Sequence, residues 1–319
     1  MSTAVKIKGI SKSFANTQAV KGANFSVNEG EIICVLGESG SGKTTLLRLL
    51  AGLEDADAGS IEICGETITG PADHLVPGYD FVSLMFQDFK LEKFKTVSDN
   101  IASRIYYLDS VKRQKRIERL LKLCLLTDKV ESFPTELSGG QQQRLSLALA
   151  LAKEPRVILM DEPFSNVDSG KKHTILQQVV KILKRSGVTV IMVTHDRTDA
   201  MSLADKIMIM RKGRIIQKGT PAHLYANSKT KYAAQFLGPV NFITLEKSAK
   251  PSPIRPENIS LNKKGRYNGT VIKTVFMGMH YHIYLQSSLS NSEIMLYSPI
   301  DLEVGSAVRF DIHLSGGQG

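Results

Sequence analysis

From Val5 to about Leu237 the chain alternates short apolar runs with longer stretches whose apolar residues recur at helical spacing. "EIICVLG" (31–37), "RVILMD" (156–161) and "VTVIMVTH" (188–195) are nearly unbroken, which suits strands buried on both faces. "GKTTLLRLLAGL" (42–53), a stretch from about Ser169 to Lys184, and residues 197–204 read as helices. "DKIMIMRKGRII" (205–216) reads as a hairpin around Lys212–Gly213. Such alternation predicts a mostly parallel sheet covered on both faces. Between about 98 and 135 the pattern is helical without strong strands, so an all-helical insertion is expected there.

The pattern changes after "FLGPVNF" (236–242). "KSAKPSPIRPENI" (247–259) is proline-rich and loop-like. Four short alternating runs follow, at 269–277, 280–286, 292–298 and 307–314. They predict a small all-β barrel of roughly 70 residues.

Composition adds mostly exclusions. Of 319 residues, 42% are hydrophobic and 23% charged, as in ordinary globular proteins. The longest apolar runs, Val188–Val193 and Leu145–Ala152, fall far short of the roughly 20 residues that a membrane-spanning helix needs. "MSTAVKIKGI" carries no apolar signal region, so a cytoplasmic chain is expected. Cys34, Cys64 and Cys124 match no metal-ligand spacing and read as small core residues in a reducing compartment. The net charge is +10, densest at "KRQKR" (112–116). That cluster opens an amphipathic stretch through Ile117, Leu120, Leu121 and Cys124, and reads as the solvated face of a helix.

The strongest chemical signal is "GESGSGKT", Gly37–Thr44, between a buried strand and a helix. It fits the phosphate-binding loop G-x-x-x-x-G-K-[ST]. Gly37, Gly40 and Gly42 let backbone N–H groups turn inward around an anion, together with Glu38, Ser39 and Ser41. The helix start, with Thr45, aims its positive dipole end at the same place. Lys43 supplies a charge for the β- and γ-phosphates of ATP, and Thr44 a hydroxyl for Mg²⁺. "VILMDE" puts Asp161 at the carboxyl end of a buried strand, where such sheets bind ligands. Asp161 suits a Mg²⁺ ligand, and Glu162, aimed differently, suits a base for attack on the γ-phosphate.

"LSGGQ" occurs twice, at Leu137–Gln141 and Leu314–Gln318. The first copy runs into "QQRLSLALALAKEP", a long apolar-faced helical run. Ser138 sits where an N-cap belongs, Gly139 and Gly140 leave the backbone bare, and Gln141 follows. This copy reads as a second anion-seeking helix N-terminus. No helical run follows the second copy, which reads as a coincidental tail.

Taken together, "GESGSGKT", "LSGGQQQR" and "VILMDEP" resemble the Walker A, signature and Walker B motifs of the ATP-binding-cassette (ABC) ATPases, in that order. The resemblance covers about residues 3–240 and implies a P-loop NTPase α/β sheet domain, 1–240, with a helical subdomain at about 88–150. Residues 241–319 resemble the OB-like regulatory barrel, called TOBE, of bacterial importer ATPases for sugars, ferric iron, sulfate, molybdate or polyamines. "IRPENI" (254–259) matches the stretch that often opens it. An OB-like barrel also suits oligonucleotides, but residues 241–319 hold eight Lys and Arg against six Asp and Glu, with no basic groove signature.

The resemblance implies further roles, position by position. Phe14 in "KSF" matches the aromatic that stacks on adenine. Gln87 in "LMFQD" matches the glutamine that contacts Mg²⁺ and the attacking water. Asp168 in "SNVD", where "SALD" is commoner, matches the acidic residue facing the opposite subunit, and His195 in "VTHD" the switch histidine at the γ-phosphate. In isolation these four read as a core aromatic, a solvated polar end, a turn aspartate and a satisfied histidine. The resemblance also implies a head-to-tail homodimer in which Ser138–Gln141 of one copy closes on ATP at Gly37–Thr44 of the other. Its partners would be separate permease subunits and a substrate-binding protein, and its place the cytoplasmic face of the inner membrane, peripherally bound. No direct nucleic-acid contact is expected. The alternative is a non-transport cassette ATPase acting on nucleic acid; against it stands the lack of sustained heptads between Thr44 and Leu137.

Overall fold

The computed structural model describes residues 2–73, 78–85, 90–165, 167, 169–245, 250–290 and 292–313. In chain order the elements begin with β1 (Thr3–Phe14), β2 (Thr17–Asn28), β3 (Ile32–Leu36), α1 (Lys43–Leu50), β4 (Ala58–Ile63), β5 (Glu66–Ile68) and β6 (Val82–Met85). Three helices follow: α2 (Val97–Arg104), α3 (Ser110–Leu123) and α4 (Gly139–Leu151). Next come β7 (Val157–Asp161), α5 (Ser169–Ser186), β8 (Thr189–Thr194), α6 (Arg197–Leu203), β9 (Lys206–Arg211) and β10 (Arg214–Gly219). The chain forms two compact units, Met1–Pro221 and Ala222–Gly319.

The first unit holds two sheets. One has six strands in the order β10-β9-β3-β8-β7-β6, and only β10 runs against its neighbour. This is the parallel sheet that the apolar runs predict. Its central strands are buried along their whole length, so their residues divide between two faces. Ile33 and Val35 of β3 share a core with Leu46, Leu47, Leu49 and Leu50 of α1. The same core takes in Val5 and Ile7 of β1, Val20 and Phe25 of β2, and Ile61 and Ile63 of β4. Those strands belong to a separate antiparallel sheet, β2-β1-β4-β5, that the sequence pattern did not reveal. Helix α1 thus lies between two sheets. Only eight residues long, it is too short to hold together in water, and burial of its leucines stabilises it instead. Helices α2, α3 and α4 pack on one another, as expected of the helical insertion.

Helix α7 (Pro221–Ala226) starts at the last residue of the first unit, and the second unit continues with α8 (Lys231–Leu237), β11 (Asn241–Ile243), β12 (Ser252–Ile254), β13 (Ile259–Leu261), β14 (Tyr267–Phe276), β15 (Tyr281–Gln286), β16 (Ile294–Ser298) and β17 (Ala307–Ile312). Five of these strands form an antiparallel sheet, β13-β17-β14-β15-β16. Its two end strands, β13 and β16, also touch, so the sheet curls into a nearly closed barrel. Val271, Ile283, Leu285, Ile294, Leu296 and Phe310 fill it.

Arg255 of "IRPENI" is the polar centre of this unit. It is 5% exposed and stacks 3.9 Å from the Tyr225 ring. Its guanidinium donates to the carbonyls of Tyr225, Ala234, Gly238 and Pro239, at 2.9–3.2 Å. Five donors in a rigid fork suit that task, and a lysine ammonium does not. Arg255→Lys is expected to cost about 2 kcal/mol, because buried carbonyls lose their partners. Thermal unfolding followed by tyrosine fluorescence checks this; an unchanged midpoint would contradict it.

Candidate functional site

The loop Gly37–Gly42 leaves the carboxyl end of β3 and enters α1. Two of its three glycines, Gly37 and Gly42, are required by their surroundings. A Cβ at Gly37 would lie 2.3 Å from the Met210 carbonyl oxygen, and one at Gly42, with φ +102°, would lie 2.1 Å from that of Ala19. Gly42 occupies the N-cap of α1, and no side chain caps that helix. The helix therefore offers its first N–H groups to a ligand. Gly37 N–H reaches the Thr194 carbonyl at 3.3 Å, and Gly213 N–H reaches that of Ser41 at 2.9 Å.

Lys43 is 5% exposed, and its ammonium donates to the Gly37 and Glu38 carbonyls at 2.9 and 3.0 Å. Burial pushes it below the ordinary lysine range, against the pull of Glu162 and Asp161. Thr44 donates its hydroxyl to Asp161 at 3.3 Å. Burial pushes the Asp161 carboxyl above the usual range, while the Thr44 hydroxyl opposes the shift. Ser41 Oγ is buried, with no partner among the described residues.

Glu162 stands at the end of β7 with φ +43°, left-handed backbone that a side-chain-bearing residue adopts only when its surroundings hold it. The Val193 carbonyl accepts its N–H at 3.0 Å. Its carboxylate meets His195 Nδ1 at 2.9 Å. Sequence reasoning did not foresee this pairing, since the 32 intervening residues give no signal that β7 and β8 end side by side.

These parts surround one open cavity of about 630 Å³. Ser39, Gly40, Gly42, Lys43, Thr44, Thr45 and Glu162 line it. So do Thr17–Ala19 and Lys21 of β2 and Lys212–Gly213 of the β9–β10 turn, which the sequence reading missed. The Lys212–Gly213 pair had been legible as a turn, but nothing in it points to a ligand. Phe14 is half-exposed at the end of β1, under the Lys12 ammonium, beside the hairpin that leads to Thr17. Gln87 and Asp168 lie outside the described residues, as does the second "LSGGQ".

Ser138–Gln141 do not line that cavity. Ser138 caps α4 in a reciprocal box: its hydroxyl accepts from Gln141 N–H at 3.4 Å, and Gln141 Oε1 accepts from Ser138 N–H at 2.8 Å. The two glycines divide their tasks. Nothing lies within 4 Å of a Cβ at Gly139, whereas one at Gly140 would press on Ile175 at 2.9 Å. Gly139 keeps the helix end open, and Gly140 lets α4 approach α5.

A sequence profile described as ABC transporter matches residues 20–165, spanning β2 to the segment after Glu162. The spermidine/putrescine import ATP-binding protein of Clostridium novyi is 32% identical over 336 residues, 97% of this chain and 95% of that protein. The chain belongs to the ABC transporter family. It is an ATPase of that family, with the phosphate loop and strand-end carboxylates just described. An ABC sulfate/thiosulfate import ATP-binding protein of Chromobacterium violaceum is 38% identical over 77% of this chain, which spans 67% of that relative. Among solved ABC structures, the dimeric cassette MJ0796 in a post-hydrolysis state with ADP and Pi aligns with a TM-score of 0.56 and 29% identity. That alignment covers 68% of this chain and 98% of the cassette. Among the described residues no helix is long and apolar enough to cross a membrane.

Proposed function

We propose that this chain is the ATP-hydrolysing subunit of an ABC importer, working as a dimer on separate permease subunits from the cytoplasmic face of the membrane. One observation carries the reading: a single cavity unites the Lys43 loop with a carboxylate, Glu162, that is itself hydrogen-bonded to His195. The triphosphate of ATP sits against Gly37–Thr45, where Lys43 exchanges loop carbonyls for phosphate oxygens. Ser41 Oγ, buried and unpartnered, supplies a further donor. Glu162 orients the attacking water, and His195 steadies the carboxylate and reaches the γ-phosphate.

Thr44 and Asp161 offer a hydroxyl and a carboxylate side by side, hard oxygen donors that fit Mg²⁺. When bound, the ion neutralises charge that develops on the phosphates. Gln87 is the third ligand by resemblance. The Ser138–Gly140 helix end, open at Gly139 and outside the lining of its own chain's cavity, closes on the nucleotide of the other copy. The dimeric solved relative supports this arrangement.

Names of the relatives support import over nucleic-acid work, and import by a chain of this family calls for a permease and a substrate-binding protein as partners. Their cargoes are sulfate or thiosulfate in one and polyamines in another, opposite in charge. The names of relatives therefore assign no cargo to this chain. Co-expression tests the whole. The chain is expected to sediment with membranes when its permease subunits are present, and to hydrolyse ATP faster there. Equal sedimentation and activity without them would overturn the importer reading.

A further inference from the structure

Helix α4 carries the Ser138 cap at its N-terminus, while its second turn touches the segment after Glu162. Gln143 lies five residues after the Ser138 cap, roughly 7.5 Å along the helix axis. It is 1% exposed. Its Nε2 donates to the Pro163 carbonyl at 3.0 Å, and Pro163 is the residue after Glu162. The other half of the amide, Oε1, has no partner among the described residues. A buried amide left half-satisfied is costly, and an apolar residue of similar size would pack there without that cost.

The link it makes is stiff at both ends. Arg144, the next residue, donates to Gln178 of α5 at 2.6 Å, and Gly140 lies against Ile175 of the same helix. Proline fixes its own φ, which leaves ψ as the one rotation at Pro163 that can absorb a displacement of its carbonyl, and the remainder passes to Glu162. Glu162 holds a left-handed φ of +43° that depends on its surroundings. A shift of α4 by about half an ångström takes the Gln143 bond from good geometry to its limit.

From this chain of contacts we infer that Gln143 is a positioning residue that couples the two nucleotide sites of a dimer. Engagement of Ser138–Gly140 by the partner copy's ATP moves α4, and Gln143 carries that movement to the Glu162 of its own chain. Each copy thereby readies its own carboxylate only when its other end has found nucleotide. The inference rests on the dimer proposed above.

The test compares full-length Gln143→Met with the parent chain. Three quantities are measured: MgATP affinity, MgATP-driven dimerisation in a Glu162→Gln background, and hydrolysis across ATP concentration. Affinity is expected to stay within about twofold, and dimers to form. The kcat is expected to fall about tenfold, and the sigmoid ATP dependence to flatten to a Hill coefficient near one. A purely structural role would lower kcat only in proportion to folded protein and leave the curve's shape alone. Dimers with an unchanged curve, or a parent curve with no cooperativity, overturn the coupling and leave the importer reading standing. A Glu162→Gln chain that never dimerises overturns both. If Gln143→Met does not fold, Gln143→Ser, small enough to admit a water to the Pro163 carbonyl, is measured in the same way.

Discussion

Glu162→Gln is expected to bind MgATP as the parent does and to lose hydrolysis by a factor on the order of 10²–10³ or more. The side chain keeps its shape, so the strained backbone at φ +43° and the bond to Val193 survive. What disappears is the negative charge that faces His195 at 2.9 Å and that would take a proton from water. With hydrolysis blocked and binding intact, the ATP-bound dimer has no route to open. Sedimentation in MgATP should therefore reveal a stable dimer, absent without nucleotide. Phosphate release at near the parent rate would show that another group directs the water.

Gly42→Ala is expected to abolish nucleotide binding, and comparison with Gly40→Ala separates the causes. Both positions need positive φ, +76° at Gly40 and +102° at Gly42. A Cβ at Gly40 meets nothing within 4 Å, so only the backbone penalty applies, about 1–2 kcal/mol. At Gly42 the new atom lies 2.1 Å from the Ala19 carbonyl on β2, and neither backbone can yield without moving a strand or the helix start. Strain and overpacking together amount to about 3–5 kcal/mol, concentrated at the phosphate loop. Thermal unfolding and an ATP titration check both. Equal behaviour of the two variants would mean that β2 does not brace the loop.

Much of this was legible in advance, for physical reasons. Strands buried on both faces must be apolar at every position, so β3, β7 and β8 announce themselves, as does the loop that must follow β3. The barrel strands β14 to β17 showed by alternation. The antiparallel sheet did not. In β1 the alternation Val5, Ile7 breaks at Gly9, whose φ is +63°, and resumes at Ile10. The register against β2 shifts there, so the inward positions change parity and the period of two is lost. At the site, single residues were readable because motifs fix their types. The Glu162–His195 and Gln143–Pro163 contacts were not, because the first depends on which strands lie side by side and the second on where α4 packs against the segment after β7. The division of labour between Gly139 and Gly140 was equally hidden, since identical letters say nothing about which one faces Ile175.

The placement of α1 between two sheets also sets a timetable for the newborn protein. Residues 37–45 leave the ribosome well before three of the groups that shape this loop: the Thr194 carbonyl, the Met210 carbonyl and the Gly213 amide. Until Gly213 has emerged, the loop glycines have only the Ala19 carbonyl of β2 to lean on. A nascent chain that stops short of Gly213 is thus expected not to hold ATP, and competence arrives as β8, β9 and the turn after β9 dock.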